Sequence, residues 1–346
     1  MRILFPAAFA ALALAWGLFP ALGSAAGSGA PLKIVAAVNA DEPLGLLLSA
    51  SEEALAERVD RRVQLTFLER SMAPKAAARL ALSEPDGLTL GFLALDAVVT
   101  LSLGGLAPYL PEDFWPTLLS FSETPVLIGP ANSAFANDWG LPRPAGEPIV
   151  LVALGKETPD QPTLAALAFF RQEKIPVSLS FRAPPYAENA AEGGAIQGAA
   201  RLYFDSLRLF STLRPTEAMA VPFPALAYLR ENKFPFRTLG YLTRNPDPRE
   251  TASFPGRILP AEDAPFHPLM GFFFSGETSE RTAENTPAAL YDVFSQAALD
   301  PESPYRGYLK EPLAQGEEAR QIFAARVDAQ KSLLAAYGLY ADEEEE

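Results

Sequence analysis

Apolar positions along the first hundred residues switch repeatedly between a strand period and a helix period. Leu32 to Val38 is a short apolar run that predicts a strand. Leu44, Leu47, Leu48, Ser51, Leu55 and Val59 then recur at helical spacing, with Glu52, Glu53, Glu57 and Arg58 on the opposite face. Val63, Leu65 and Phe67 alternate with polar neighbours as a second strand, and Ala73 to Leu82 reads as an Ala-rich helix. Pro85-Asp86-Gly87 forms a turn, because Pro presets φ, Asp bonds the backbone ahead of it and Gly accepts positive φ. Leu88 to Leu93 is mostly apolar, as in a strand buried in a parallel sheet. The loop after it, Ala94 to Asp96, lies where open α/β sheets hold ligands.

The alternation restarts further on. Thr124 to Gly129 is an apolar strand, and the Pro-, Gly- and Asn-rich stretch 130–148 marks a crossing between domains. Strands are predicted at Ile149 to Leu154, Val177 to Arg182, Arg201 to Phe204, Phe236 to Thr243 and Pro268 to Ser275. Helices are predicted at Thr163 to Arg171, Ala187 to Ala199, Pro224 to Glu231, from Thr286 onward, and at Glu317 to Tyr337, which Gly338 ends. This order implies an α/β protein of two lobes, each a mainly parallel sheet flanked by helices. Residues 30–129 with 240–340 form one lobe and 130–239 the other, with hinge crossings near Ile128 to Asn132 and Phe236 to Tyr241.

The termini add an address. Arg2 precedes an apolar run, Ile3 to Leu22, and small residues Gly23-Ser24-Ala25-Ala26 follow, so residues 1–26 read as a signal peptide for export. An uncleaved anchor is the other reading of that run. Residues 341–346 form a solvated acidic tail.

Composition narrows the chemistry. A net charge of −14 over 346 residues disfavours nucleic acid and anionic membrane surfaces. No cysteine and a single histidine, His267, exclude thiolate chemistry and a multi-His metal site, and neither a cofactor nor a metal is expected. Asp160 with Asp205 is the one acid pair that could be proposed for catalysis, and we expect no enzyme. Asp41 is either a helix N-cap or a ligand contact. Asp96 and Asp205, at strand ends, are turn formers or ligand contacts, and Lys156 and Arg182 are solvated cations or ligand contacts.

Three segments, in their order, carry a family resemblance. Pro85-Asp86-Gly87-Leu88-Thr89-Leu90 differs at one position from a "PDGYTL" strand, Tyr203-Phe204-Asp205-Ser206 matches a Phe-Asp strand end, and Phe236 to Thr243 sits where a return strand should. The chain from about residue 31 to 340 thus resembles the Bug family, the TctC-type periplasmic binding proteins of tripartite tricarboxylate transporters. The resemblance implies two α/β lobes that close on a small ligand in the cleft between them, and a monomer that presents the ligand to membrane transporter subunits or a sensor. It places ligand contacts at Asn39, Asp41 and Glu42 after the first strand, at Asp96, at Lys156, Thr158, Asp160 and Thr163 before the second lobe's first helix, and at Asp205. A carboxylate is the ligand implied. Acidic Asp41, Glu42, Glu157 and Asp160 stand in those loops, so a neutral or cationic ligand, or one held by Lys156 or Arg182, fits no worse. The alternative is the same fold reused as a ligand-free interaction module in the periplasm, and a secreted hydrolase or lyase is a third reading.

Overall fold

The computed structural model describes residues 29–69, 72–134, 148–154, 159–182, 207–231, 233–243, 246, 248–259, 269–283, 285–300, 303 and 309–340. Two six-stranded sheets organise them. The first has the order β12-β4-β11-β3-β1-β2 and the second β10-β9-β5-β8-β6-β7.

In the first lobe, β1 (Leu32–Ala36) pairs in parallel with β2 (Val63–Phe67) and with β3 (Thr89–Ala94). The strand after that, β11 (Leu269–Ser275), runs antiparallel to β3 and to β4 (Phe114–Ser122), and β12 (Leu309–Gln315) closes the far edge antiparallel to β4. Side-chain alternation on β1 sorts the core into two layers. Leu32, Ile34, Ala36 and Val38 face the layer filled by α1 (Pro43–Val59) and α5 (Thr286–Leu299). Ala37 and Val35 face α2 (Ala73–Ala81) and the first half of α6 (Gly316–Ala336). Aromatic edges fill the first layer: Phe92, Phe121, Phe272 and Phe294 form a cluster with centroids 4.9–5.9 Å apart.

In the second lobe, β5 (Pro125–Pro130) runs antiparallel between β8 (Glu217–Pro222) and β9 (Phe236–Tyr241), while β6 (Ile149–Leu154) is parallel to β7 (Val177–Arg182) and β8. The two-residue strand β10 (Arg257–Ile258) pairs in parallel with β9. Helix α3 (Gln161–Gln172) covers one face and α4 (Pro224–Glu231) the other.

Three expectations change. The sheets are mixed rather than mainly parallel, because β11, β12 and β5 enter against the direction of their neighbours. The crossings move: β5 and β9 both belong to the second sheet, so the chain passes between lobes at Glu123-Thr124 and again between Ile258 and Leu269. The expected crossing near residue 130 is therefore not a boundary between sheets, since β5 before it and β6 after it belong to the same one. Strands β4, β8, β10 and β12, which the apolar pattern does not predict, complete the sheets. The segments expected at 187–199 and 201–204 lie outside the described residues.

Helix α6 serves both lobes. Ala319 and Phe323 sit in the first lobe's core, while Leu333 and Leu334 sit in the second's, and the Tyr337 hydroxyl donates to the Leu167 carbonyl of α3 at 3.3 Å. Midway, Gln330 accepts from the Thr100 hydroxyl at 2.9 Å, both residues buried. Arg326, one turn before it, is 6% exposed, and burial pulls its pKa down to about 9. Among the described residues no helix is long and apolar enough to cross a membrane.

Leu334 is fully buried, so Leu334→Ala should cost about 2–5 kcal/mol, read as a lowered urea midpoint. An unchanged midpoint would show that α6 does not brace the second lobe.

Candidate functional site

The carboxyl ends of the parallel strands in both sheets converge on the Glu123-Thr124 crossing. In the first lobe, β3 ends at Ala94 opposite Met270, and Leu269 pairs with Ser122, the last residue of β4. In the second, Pro222 at the end of β8 pairs with Pro125, the first residue of β5. The crossing itself is fixed by backbone bonds: Phe223 N–H donates to the Thr124 carbonyl at 2.8 Å and Leu242 N–H to the Pro125 carbonyl at 2.9 Å. Helix α3 aims its amino end at this junction, where orphan backbone donors and the helix dipole favour an acceptor.

Asp160 is the N-cap of α3, with extended backbone and a carboxylate that accepts from Thr163 N–H at 3.0 Å. Gln161, next in the chain, is 4% exposed and reaches across the lobes: its side-chain oxygen accepts from Leu269 N–H at 2.6 Å. Its Nε2 and the hydroxyl of Thr163, fully buried, have no hydrogen-bond partner among the described residues. Buried polar groups are ordinarily paired, so both are notable at this position.

The other loops meet the same edge. Asn39 is half-buried after β1; its side-chain amide donates to the Glu42 carboxylate and its carbonyl accepts from Glu42 N–H at 3.1 Å. Glu42 occupies the N-cap position of α1, and Asp41, expected there, is exposed one residue earlier. Pro at the first helical position sets the cap one residue later than the Asp suggested. The 39–42 loop lies tightly on the helix, since a Cβ on Gly45 would stand 2.1 Å from the Asn39 carbonyl oxygen. Asp96 opens a five-residue π-helix, Asp96–Thr100, directly after β3; the type is rare and frequent at functional sites. It is held at Ala97 by the Tyr109 hydroxyl and at Thr100 by Gln330.

Asn39, Glu42, the start of the π-helix, Asp160 and Thr163 therefore lie on the converging edges. Lys156, Thr158, Asp205 and His267 lie outside the described residues. Arg182 is not free to hold a ligand: its guanidinium is 2.6 Å from the Glu217 carboxylate, with side chains 26% and 4% exposed. Burial would raise the Glu217 pKa, but the Arg214 N–H and the Arg182 guanidinium outweigh it and hold it below the usual value. Gln161 was missed because Gln-Pro reads as loop; the Asp160-x-x-Thr163 spacing that marks a cap was its signal. Among the described residues no group of three His, Cys, Asp or Glu is placed to hold a metal ion.

No protein-family model and no curated protein matches the sequence. Solved structures match in fold. A TctC solute-binding protein from Polaromonas superimposes with a TM-score of 0.58 at 15% identity, over 88% of this chain and 98% of that one. MatC from Rhodopseudomonas palustris, solved with bound malate, gives 0.55 at 15% identity over 88% and 98%. A second R. palustris protein, solved with adipate, gives 0.57 at 13% identity over 89% and 97%. The resemblance read from motif order holds at the level of fold: this is the two-lobed α/β architecture of the TctC-type and Bug binding proteins.

Two substitutions test the local geometry. Gly45→Ala should cost roughly 1–3 kcal/mol and displace the 39–42 loop, visible as a lowered melting midpoint. Glu217→Ala should cost roughly 2–3 kcal/mol at neutral pH by stranding Arg182. Because folding lowers the Glu217 pKa, that difference is fully present above its free value of 4.5 and shrinks as the pH falls further through the folded-state value. A gap between wild type and variant that persists in strong acid would refute the pairing.

Proposed function

We propose that the chain is a periplasmic solute-binding protein that captures a small ligand between its lobes by hinge closure and presents it to a membrane transporter or sensor, without chemistry of its own. The observation that carries this reading is the convergence of both sheets on one crossing, with the buried Gln161 and Thr163 of one lobe set against Leu269 of the other. A ligand there contacts both lobes at once and so favours the closed state by its differential affinity. The contacts we assign to it are Asn39, Glu42, Asp96, Gln161 and Thr163, joined by Lys156, Thr158 and Asp160 from the loop before α3 and by Asp205.

Charge favours a neutral or cationic ligand over a carboxylate. Asp41, Glu42, Glu69, Glu123 and Asp160 all stand on or beside the converging edges, and Arg182 is spent on Glu217. Malate and adipate, held by two of the similar structures, would meet that field unfavourably. The ligand-free interaction module is the second reading, favoured by how far the loops satisfy themselves through Asn39 to Glu42, Asp160 to Thr163 and Gln161 to Leu269.

A thermal-shift screen of amines, amino acids, sugars and dicarboxylates should raise the melting midpoint by several degrees for one neutral or cationic class. Thr163→Val should weaken that ligand about five- to tenfold, and the wild type should compact in solution scattering when it binds. No shift with any class, and no compaction, would move the assignment to the interaction module.

A further inference from the structure

A second concavity lies at the opposite end of the first lobe, away from the crossing. A pocket of about 550 Å³ opens between α6, the turn after β11 and the amino end of β4. That volume is in the range of small-molecule sites. Its floor is formed by Phe114, Trp115 and Phe323. Trp115 stacks on Phe274 with centroids 5.6 Å apart and is 8% exposed, and its indole N–H has no acceptor among the described residues. One wall is rigid: the turn at Gly276 packs so closely on the 3-10 turn Pro111–Asp113 that a Cβ there would stand 2.2 Å from the Glu112 carbonyl.

The rim is acidic. Glu112, Glu280 and Asp328 line it, and among the described residues Arg320 is its one basic residue. Arg320 lies 5.9 Å from the Trp115 ring centroid but is already neutralised, 2.7 Å from Glu280 and 3.1 Å from Glu317. Glu112 and Asp328 make no ion pair among the described residues. The balance left over is negative charge above an aromatic floor. An ammonium group answers the carboxylates and is attracted to aromatic faces, and an apolar body covers the floor.

We propose that this pocket is a binding site for a small organic ammonium compound that carries an apolar body. Its walls are the first lobe and the half of α6 that packs in that lobe's core, at the end of the sheet away from the crossing, so it stands apart from the interlobe reading.

The test is calorimetric titration of the full chain with tyramine and with 4-hydroxyphenylacetate, which replaces the ammonium by a carboxylate on a similar body. Tyramine should bind and the carboxylate should not. Glu112→Gln with Asp328→Asn should weaken tyramine about tenfold, two exposed charge contacts being lost, with the melting midpoint unchanged. Trp115→Phe should weaken it as well while keeping the floor. Thr163→Val, in the interlobe cleft, should leave tyramine binding as it was. No tyramine binding, equal binding of both compounds, or an affinity indifferent to the Glu112/Asp328 pair overturns the proposal. Loss with Thr163→Val alone also overturns it, and would place the amine in the cleft.

Discussion

Between Ser122, the last residue of β4, and Pro125, the first of β5, there are two residues, Glu123 and Thr124, and both are buried. A connection that short between strands of different sheets leaves little freedom in how the sheets sit. With the Thr124 and Pro125 carbonyls tied to Phe223 and Leu242, it brings the ends of β3, β4, β8 and β9 to one place. The loops that leave those ends, and the amino end of α3, then have nowhere to go but toward one another. The edges that carry the proposed ligand contacts follow from that crossing.

The second connection is of another kind. Helix α6 puts Phe323 in one core and Leu333 and Leu334 in the other, with the Thr100–Gln330 bond between them. Thr100 ends the π-helix that Asp96 begins, so the segment after β3 and the bridging helix share a hydrogen bond. Two-lobed proteins need joints that bend without losing their cores, and a helix anchored by separate apolar residues in each lobe fulfils this.

Much of the fold was legible. The helices at α1, α3, α5 and α6 and the strands β1, β3, β6, β7 and β11 follow from apolar period alone, because each has one face or both faces buried. What escaped did so for local reasons. β4 carries Pro116, which disqualifies a central strand unless a bulge admits it, and the register does shift beside Phe273, its partner. β8 opens on Glu217, which looks like loop until Arg182 and Arg214 are seen to hold it. β12 contains Lys310, Glu311 and Pro312 and has no apolar alternation. With β4 hidden, the crossing was displaced onto the Pro-rich stretch after β5. At the site, the Asp160 cap and the Asn39 loop were readable from residue type, whereas the reach of Gln161 to Leu269 joins positions 108 apart and has no local signature.

The strand order has a consequence for how the molecule is made. Strands β5 to β10 form one continuous stretch of chain, so the second sheet can assemble as soon as that stretch is present. The first sheet cannot: β11 sits between β3 and β4, and β12 covers β4, so its centre stays open until the last third of the polypeptide arrives. Until then β3 and β4 expose unpaired edges and apolar faces, the surfaces on which chains aggregate. The strands of the second sheet can therefore pair before those of the first, though its core closes only when Leu333 and Leu334 of α6 arrive, and the amino-terminal strands wait on the carboxyl terminus. That interval is when a chaperone would be needed.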